Sequence, residues 1–217
     1  MKNLLIKELR LAASPLSYFF LAAAFMTLLP GYPILMGAFF ICMGLFQSFQ
    51  NAREVNDVLY TVLLPVKKCD FVKAKYTFVC FIQMIGFLIS AALTVLRMTK
   101  MADAAAYAGN ALMNATPYFL AFELIVFTAF NVLFVGGFFR SGYKTGMPFL
   151  WFGIATFVIV TIGEILPHVP GLTFLHNPAG ERLGVQLALL GFAAVVYVVI
   201  TLLACRKAEE RFEKIDL

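Results

Sequence analysis

The sequence predicts an all-α membrane protein with six transmembrane helices, an N-terminal amphipathic helix and both termini in the cytoplasm. Three observations predict this class. Of the 217 residues, 62% are hydrophobic and only 13% are charged, which is far more apolar than an ordinary soluble domain. Six apolar stretches follow one another along the chain. Fourteen of the 17 Lys and Arg residues fall on one side of the membrane that those stretches would cross.

The six apolar stretches have the composition of membrane-spanning helices. A helix needs about 20 apolar residues to cross a hydrocarbon core about 30 Å thick. In lipid, only helices and closed barrels satisfy their own backbone hydrogen bonds, and long runs without alternation favour helices. The stretches are Leu16–Leu29, Ile34–Phe49, Phe71–Leu96, Pro117–Phe138, Phe149–Leu166 and Leu183–Ala204. They predict one helical domain over residues 15–205.

The first two stretches are shorter than the others, and a Pro30-Gly31-Tyr32-Pro33 turn separates them. They either cross the membrane as two spans or form a re-entrant hairpin. In both cases the chain returns to its starting side, so the later stretches keep the same orientation.

The distribution of basic residues predicts the orientation, because cytoplasmic loops carry an excess of Lys and Arg. The opposite side keeps only Arg97, Lys100 and Arg182. The predicted cytoplasmic residues are Lys2, Lys7, Arg10, Arg53, Lys67, Lys68, Lys73, Lys75, Arg140, Lys144, Arg206, Lys207, Arg211 and Lys214. Residues 206–217 form a predicted cytoplasmic tail. Membrane topology thus explains the net positive charge of the chain, and no nucleic-acid partner is needed to account for it.

The N-terminal segment, residues 1–14, alternates apolar and charged residues at helical spacing. This pattern is typical of an interfacial helix that lies along the membrane surface. The alternative is a short extension of the first span, kinked at Ser14-Pro15.

The longest predicted cytoplasmic connection, Gln50–Lys75, contains a second amphipathic pattern. Its apolar positions recur at i, i+3, i+4, i+7 and i+8 and end before Pro65; they are Val55, Val58, Leu59, Val62 and Leu63. This helix either packs under its own bundle or docks onto a cytoplasmic partner. Beyond it, Asp70 is a predicted helix N-cap, and the lysines at 67, 68, 73 and 75 are expected to reach toward lipid head groups.

Two carboxylates, Glu123 and Glu164, fall within predicted spans. A charge at mid-bilayer costs roughly 2.5 to 3.5 kcal/mol, so such residues usually face a cavity or a polar partner. Glu123 therefore either belongs to a polar pathway or gate, or links helices through Gln83, Gln47 or Asn131. The candidates for a polar pathway or gate are Glu123, Glu164, Gln83 and Asn131.

Catalysis by this chain is not expected. The sequence has no G-x-x-x-x-G-K-[ST] phosphate loop, no G-x-S-x-G elbow and no H-E-x-x-H pair. His168 and His176 lack a companion ligand at metal-binding spacing, so no metal site is predicted. No pair of the four cysteines faces the predicted outer side, so no disulfide is expected.

Three segments carry a family resemblance. They are Met1–Leu9, the run from Leu63-Leu64-Pro65-Val66-Lys67-Lys68 into Phe71–Tyr76, and the ending Phe212–Leu217. With this layout the chain resembles the small permeases of bacterial type-2 ABC exporters. It is similar in particular to the group that includes the staphylococcal phenol-soluble-modulin exporter permeases.

The resemblance implies a bacterial plasma-membrane subunit with a coupling helix at about Ala52–Leu64, within the coupling segment 51–75. The implied contacts with an ATPase are Val55, Asp57, Val58, Leu59, Val62 and Leu63. Two copies of a separate ABC ATPase would bind ATP and magnesium, so this chain would need no cofactor. A second permease, identical or a sister, would complete the complex in the lipid.

The implied function is export of amphipathic peptides or other hydrophobic cargo. Two other classes are open on sequence grounds: a substrate-binding membrane subunit of an importer, and a six-span channel or carrier outside the ABC class. A channel or proton-coupled carrier would be expected to show more intramembrane charge or an internal repeat.

Overall fold

The computed structural model describes residues 2–63, 66–101, 104, 106–107, 112–142, 144–177 and 182–214. Every regular element within these ranges is helical, and none is a strand. The α-helices are α1 (Lys2–Lys7), α2 (Pro15–Phe19), α3 (Met36–Glu54), α4 (Asp57–Leu63), α5 (Lys68–Lys100), α6 (Pro117–Ala129), α7 (Gly136–Arg140), α8 (Gly146–Ile165) and α9 (Leu183–Glu213). Helix α1 continues as a π-turn at Glu8–Ala12, and α2 continues as a 3₁₀ segment at Phe20–Leu28. A second π-turn, Phe130–Val135, joins α6 to α7 in one helix.

Four helices are long and apolar enough to cross a membrane: Lys68–Lys100, Pro117–Arg140, Gly146–His168 and Leu183–Glu213. They match the third to sixth predicted stretches and extend beyond them at one or both ends. A bent pair, Asn3–Arg10 with Pro15–Leu28, would make a fifth by the same test. The predicted count of six spans therefore stays a prediction, because α3 does not pass the test on its own.

The chain turns by 83° between Asn3–Arg10 and Pro15–Leu28. Pro15 has no backbone N–H and its ring clashes with a preceding helical turn, so the first helix cannot run on through it. Ser14 is extended, and its side-chain oxygen accepts a hydrogen bond from the Leu16 backbone N–H at 3.3 Å. This serine is the N-cap of α2, and proline at the first helical position suits its start.

The first two apolar stretches pack as an antiparallel helical hairpin. Two glycines of α3 make the close approach possible. A Cβ atom at Gly44 would lie 2.7 Å from the Phe20 Cβ, and one at Gly37 would lie 2.8 Å from the Ala23 carbonyl oxygen. The Ser17 hydroxyl donates to the Gly44 carbonyl at 2.5 Å. Small residues and hydroxyl bonds of this kind are the usual basis of helix association in lipid.

The helix Pro117–Arg140 lies at the centre of the bundle. Two thirds of its most apolar 18 residues are buried, compared with one third or less of the corresponding residues in the other three long helices. Phenylalanine rings fill the space between it, α3 and α8. The Phe46 and Phe149 rings lie 4.0 Å apart, and Phe134 contacts both Phe49 and Phe149. These rings are part of the packed interior, which accounts for part of the high phenylalanine content.

A tight turn sets the position of α4. Helix α3 ends at Glu54, and Asn56 adopts φ +52°, a left-handed conformation that asparagine tolerates better than most residues. Its N–H bonds the Arg53 carbonyl at 3.1 Å, and its own carbonyl accepts from the Tyr60 N–H. The predicted helix Ala52–Leu64 is thus divided: Ala52 belongs to α3, α4 ends at Leu63, and Leu64 and Pro65 lie outside the described residues.

The start of α5 differs from the prediction. The helix begins at Lys68, and Lys67 takes the N-cap position without a side-chain hydrogen bond. Asp70 was predicted as the N-cap; it lies instead in the first turn, where a carboxylate complements the positive end of the helix dipole.

Candidate functional site

Four charged side chains from three elements form a buried cluster, called here the charge cluster. Lys7 and Glu8 come from the N-terminal helix, Asp57 from α4 and Lys75 from α5. The Lys7 Nζ atom lies 2.6 Å from Asp57 Oδ1, and Lys75 Nζ lies 2.5 Å from Glu8 Oε2. Two longer contacts, Lys75 to Asp57 at 3.5 Å and Lys7 to Glu8 at 3.4 Å, close the network. Two positive and two negative groups balance its charge.

The charge cluster is enclosed by aromatic rings. Glu8 is fully buried, and Lys75 is only 2% exposed. The Lys75 ammonium lies 5.5 Å from the centroid of the Phe49 ring and 5.7 Å from that of Phe71. Each charge depends on its partners, because an unpaired charge in such a setting costs several kcal/mol. The cluster therefore holds α1, α4 and α5 in one arrangement.

The position of Lys75 corrects a prediction. It was expected to reach toward lipid head groups like its neighbours, but it points into the bundle. The signal was present in the sequence: Lys75 follows Phe71 by four residues and precedes Val79 by four, so it shares their buried face. A lysine on an apolar helix face requires an acidic partner, and Glu8 is that partner.

Helix α4 is attached to the bundle by its polar face. Asp57 is 8% exposed and enters the charge cluster. The Lys7 Nζ atom donates to the Thr61 hydroxyl at 2.6 Å, and that hydroxyl donates to the Asp57 carbonyl at 2.7 Å. Val58 is also buried, at 2% exposed.

The opposite face of α4 and the turn before it expose apolar side chains. Val55 is 71% exposed, Tyr60 is 66% exposed and Leu63 is 85% exposed. These three residues are called here the outer apolar face. The structure thus separates the apolar positions that were predicted to share one helix face. Val58 is buried against the bundle, whereas Val55 and Leu63 are exposed. The side chains of Leu59 and Val62 lie outside the described part of the chain.

A second polar site, the polar junction, lies inside the bundle and consists of Gln83, Asn131, Tyr197 and Thr201. Gln83 and Asn131 exchange side-chain hydrogen bonds of 3.0 and 3.1 Å. The Asn131 amide also donates to the Thr201 hydroxyl at 3.0 Å, and the Tyr197 hydroxyl donates to Gln83 Oε1 at 2.9 Å. Both amides are fully buried, so the junction cross-links α5, the central helix and α9.

The polar junction coincides with the π-turn Phe130–Val135. The Asn131 carbonyl accepts the π-type bond from the Gly136 N–H and a second bond from the Tyr76 hydroxyl at 3.1 Å. π-turns inside α-helices are frequent at functional sites. The extra residue in this turn places the Asn131 backbone and side chain against two neighbouring helices.

Glu123 is separate from the polar junction. The expected partners were Gln83, Gln47 and Asn131, but the Ser90 hydroxyl of α5 donates to Glu123 Oε1 at 3.0 Å. The carboxyl group is 1% exposed, and its Oε2 atom has no hydrogen-bond partner among the described residues. Of the four pathway candidates, the structure brings only Gln83 and Asn131 together.

Glu164 anchors a loop. Its Oε2 atom accepts a hydrogen bond from the Met113 backbone N–H at 2.7 Å, and its own carbonyl lies 2.8 Å from His168 Nδ1. Glu123 and Glu164, the two carboxylates predicted to lie within spans, therefore have different partners. Across the described ranges, no three His, Cys, Asp or Glu residues are grouped so that they could hold a metal ion.

Replacing Ser90 by Ala should lower the melting temperature of the purified chain. The variant leaves the Glu123 carboxyl buried without its hydroxyl donor, which costs about 1 to 3 kcal/mol. Replacing both residues, S90A with E123L, should recover most of the loss, since no unsatisfied group remains. The matched variant E123Q keeps an acceptor for Ser90 and should melt like the wild type. A wild-type melting temperature for S90A would show that this bond contributes nothing to stability.

Long apolar helices that are cross-linked by buried polar groups are the features of an integral membrane protein. Residues 3–208 match the family model described as ABC-2 family transporter protein. The chain therefore belongs to this family: it is an integral membrane permease subunit, and its family works with an ATPase. Searches of the curated proteins and of the solved structures found no match. The resemblance to type-2 ABC permeases is confirmed at this level.

Proposed function

We propose that this chain is the permease of an ABC exporter and that α4 is the helix through which a separate ATPase drives it. The division of α4 into two faces carries the proposal. Its polar face is tied into the charge cluster, and its outer apolar face, Val55, Tyr60 and Leu63, is exposed to water or to a partner. Exposed apolar groups on a short helix anchored from behind fit a protein groove.

The charge cluster would transmit the movement of α4. Asp57 connects α4 to Lys7 and Lys75, so displacing α4 displaces the N-terminal helix and the end of α5 as well. The polar junction then connects α5 to the central helix and α9. ATP binding drives such a change only through a difference in affinity between two arrangements. Through the charge cluster and the polar junction, a movement of α4 would reach α5, the central helix and α9.

A second permease, identical or a sister, would complete the pathway between the two chains. Helix α8 supports this, because it exposes a large apolar surface that lipid or another permease would cover; it includes Leu150, Ile154, Phe157, Val158 and Ile162. The proposed cargo is amphipathic peptides or other hydrophobic molecules, which suit a pathway between apolar helices.

The proposed topology has six spans, with both termini in the cytoplasm of a bacterial plasma membrane and α1 at the membrane surface. An impermeant thiol reagent applied to intact cells should label a cysteine that replaces Ala106, which is exposed on the predicted outer side. The native chain, with Cys42, Cys69, Cys80 and Cys205, should stay unlabelled. Labelling of the native chain, or protection of position 106, would contradict this topology.

The function is tested by purifying the tagged chain from its own host. An ATPase that carries the phosphate-loop motif should co-purify, and the complex in liposomes should hydrolyse ATP. Replacing the lysine of the partner's phosphate loop should abolish both hydrolysis and cargo movement while leaving the complex assembled. A chain that purifies without any ATPase, or that transports without ATP, would overturn the proposal.

A further inference from the structure

We propose that a groove between α7, α8 and the end of α9 binds an anionic phospholipid of the surrounding membrane. The groove has a volume of about 500 Å³. Its lining is largely apolar and includes Val132, Met147 and Trp151, together with the basic residues Arg140 and Arg211. This inference goes beyond transport and does not depend on the ATPase.

The charge of the groove selects the head group. Both arginines are exposed, and neither forms an ion pair with a described residue. No described residue that lines the groove is acidic. Guanidinium groups bind phosphate through paired N–H donors, and basic pockets between transmembrane helices bind anionic lipid head groups. A phosphate held by Arg140 and Arg211 would find no opposing carboxylate among these residues.

The apolar part of the groove suits an acyl chain. Met147, Trp151 and Val132 are all exposed, so the groove is open at the surface of the helix bundle. Arg140 lies in the last turn of α7, and Arg211 lies in the last turn of α9, beyond its apolar run. Tryptophan is enriched at the membrane–water interfaces of membrane proteins, where Trp151 is predicted to lie. The groove therefore matches an amphiphile with an anionic head and an apolar tail.

A neighbouring cavity also contains basic residues but, unlike the groove, has an acidic residue among its described lining. That cavity, between α5 and α9, has a volume of about 560 Å³ and is lined by Lys73, Arg206 and Glu209. Glu209 pairs with Lys73 at 3.4 Å and offsets one of its positive charges. The groove at Arg140 and Arg211 is thus the stronger site for an anion, and Arg206 serves as a matched control on the same helix.

Trp151 reports directly on the proposed site, because it is the only tryptophan of the chain. The purified full chain is reconstituted in phosphatidylcholine vesicles that contain a small fraction of lipid brominated on its acyl chains. Brominated phosphatidylglycerol should quench Trp151 with an apparent affinity about 25-fold above that of brominated phosphatidylcholine, since each basic residue contributes about fivefold near anionic lipid. The double variant R140Q/R211Q should lose this preference, and R206Q should keep it.

The wild-type comparison alone can overturn the proposal. Equal quenching by the two lipids would show that the groove does not select an anionic head group. Quenching by neither would show that protein, such as a second copy of this chain, covers Trp151. Loss of the preference on adding inorganic phosphate would assign the arginines to free phosphate, and persistence of the preference in R140Q/R211Q would place the lipid elsewhere.

Discussion

Replacing Lys75 by Met should destabilise the whole permease. The variant leaves Glu8 and Asp57 buried with only Lys7 to balance them. Removing one partner from a buried ion network costs about 3 to 5 kcal/mol, since the remaining charge is neither hydrated nor paired. We expect a large drop in the yield of folded protein and in its melting temperature in detergent, measured by size-exclusion chromatography of heated samples.

Lys73 offers a matched control two residues away on the same helix. Its side chain is 45% exposed and pairs with Glu209 at 3.4 Å. An exposed pair of this kind contributes about 0 to 1 kcal/mol, so K73M should melt close to the wild type. The double variant E8Q/K75M removes one charge of each sign and should regain part of the lost stability. Equal melting temperatures for K75M and K73M would show that the charge cluster does not stabilise the fold.

Replacing Tyr60 and Leu63 by Asp should separate the permease from its ATPase without unfolding it. Both side chains point away from the bundle, at 66% and 85% exposed, so the isolated chain should keep its melting temperature. If they anchor an interface, their loss should weaken binding by at least about 2 kcal/mol, or roughly 30-fold. Co-purified ATPase and ATP-driven transport should fall together.

Two comparisons distinguish docking from folding. The conservative variant Y60F/L63M keeps the outer apolar face and should retain the ATPase. In contrast, V58D places a charge at a residue that is 2% exposed. This variant should therefore lower the yield of folded permease itself. Normal ATPase retention by Y60D/L63D would assign the exposed apolar face of α4 to something other than the motor.

The positions of the long helices could be predicted because hydropathy is a local property. The four apolar stretches from Phe71 to Ala204 each became one helix. Their ends were less predictable, because helices such as Leu183–Glu213 continue past the apolar run as charged, amphipathic ends. The hairpin at the N-terminal side was harder still, since neither of its stretches is long enough to settle how it meets the membrane.

The sequence by itself determined the class of this protein: apolar runs need lipid, and unalternating runs close their hydrogen bonds only as helices. The tertiary structure alone decided which polar groups meet. It buried Lys75 against Glu8, turned Val58 inward and Leu63 outward, and paired Glu123 with Ser90. These partners are distant along the chain, and a buried charge or amide is satisfied only by groups that packing brings within hydrogen-bonding distance.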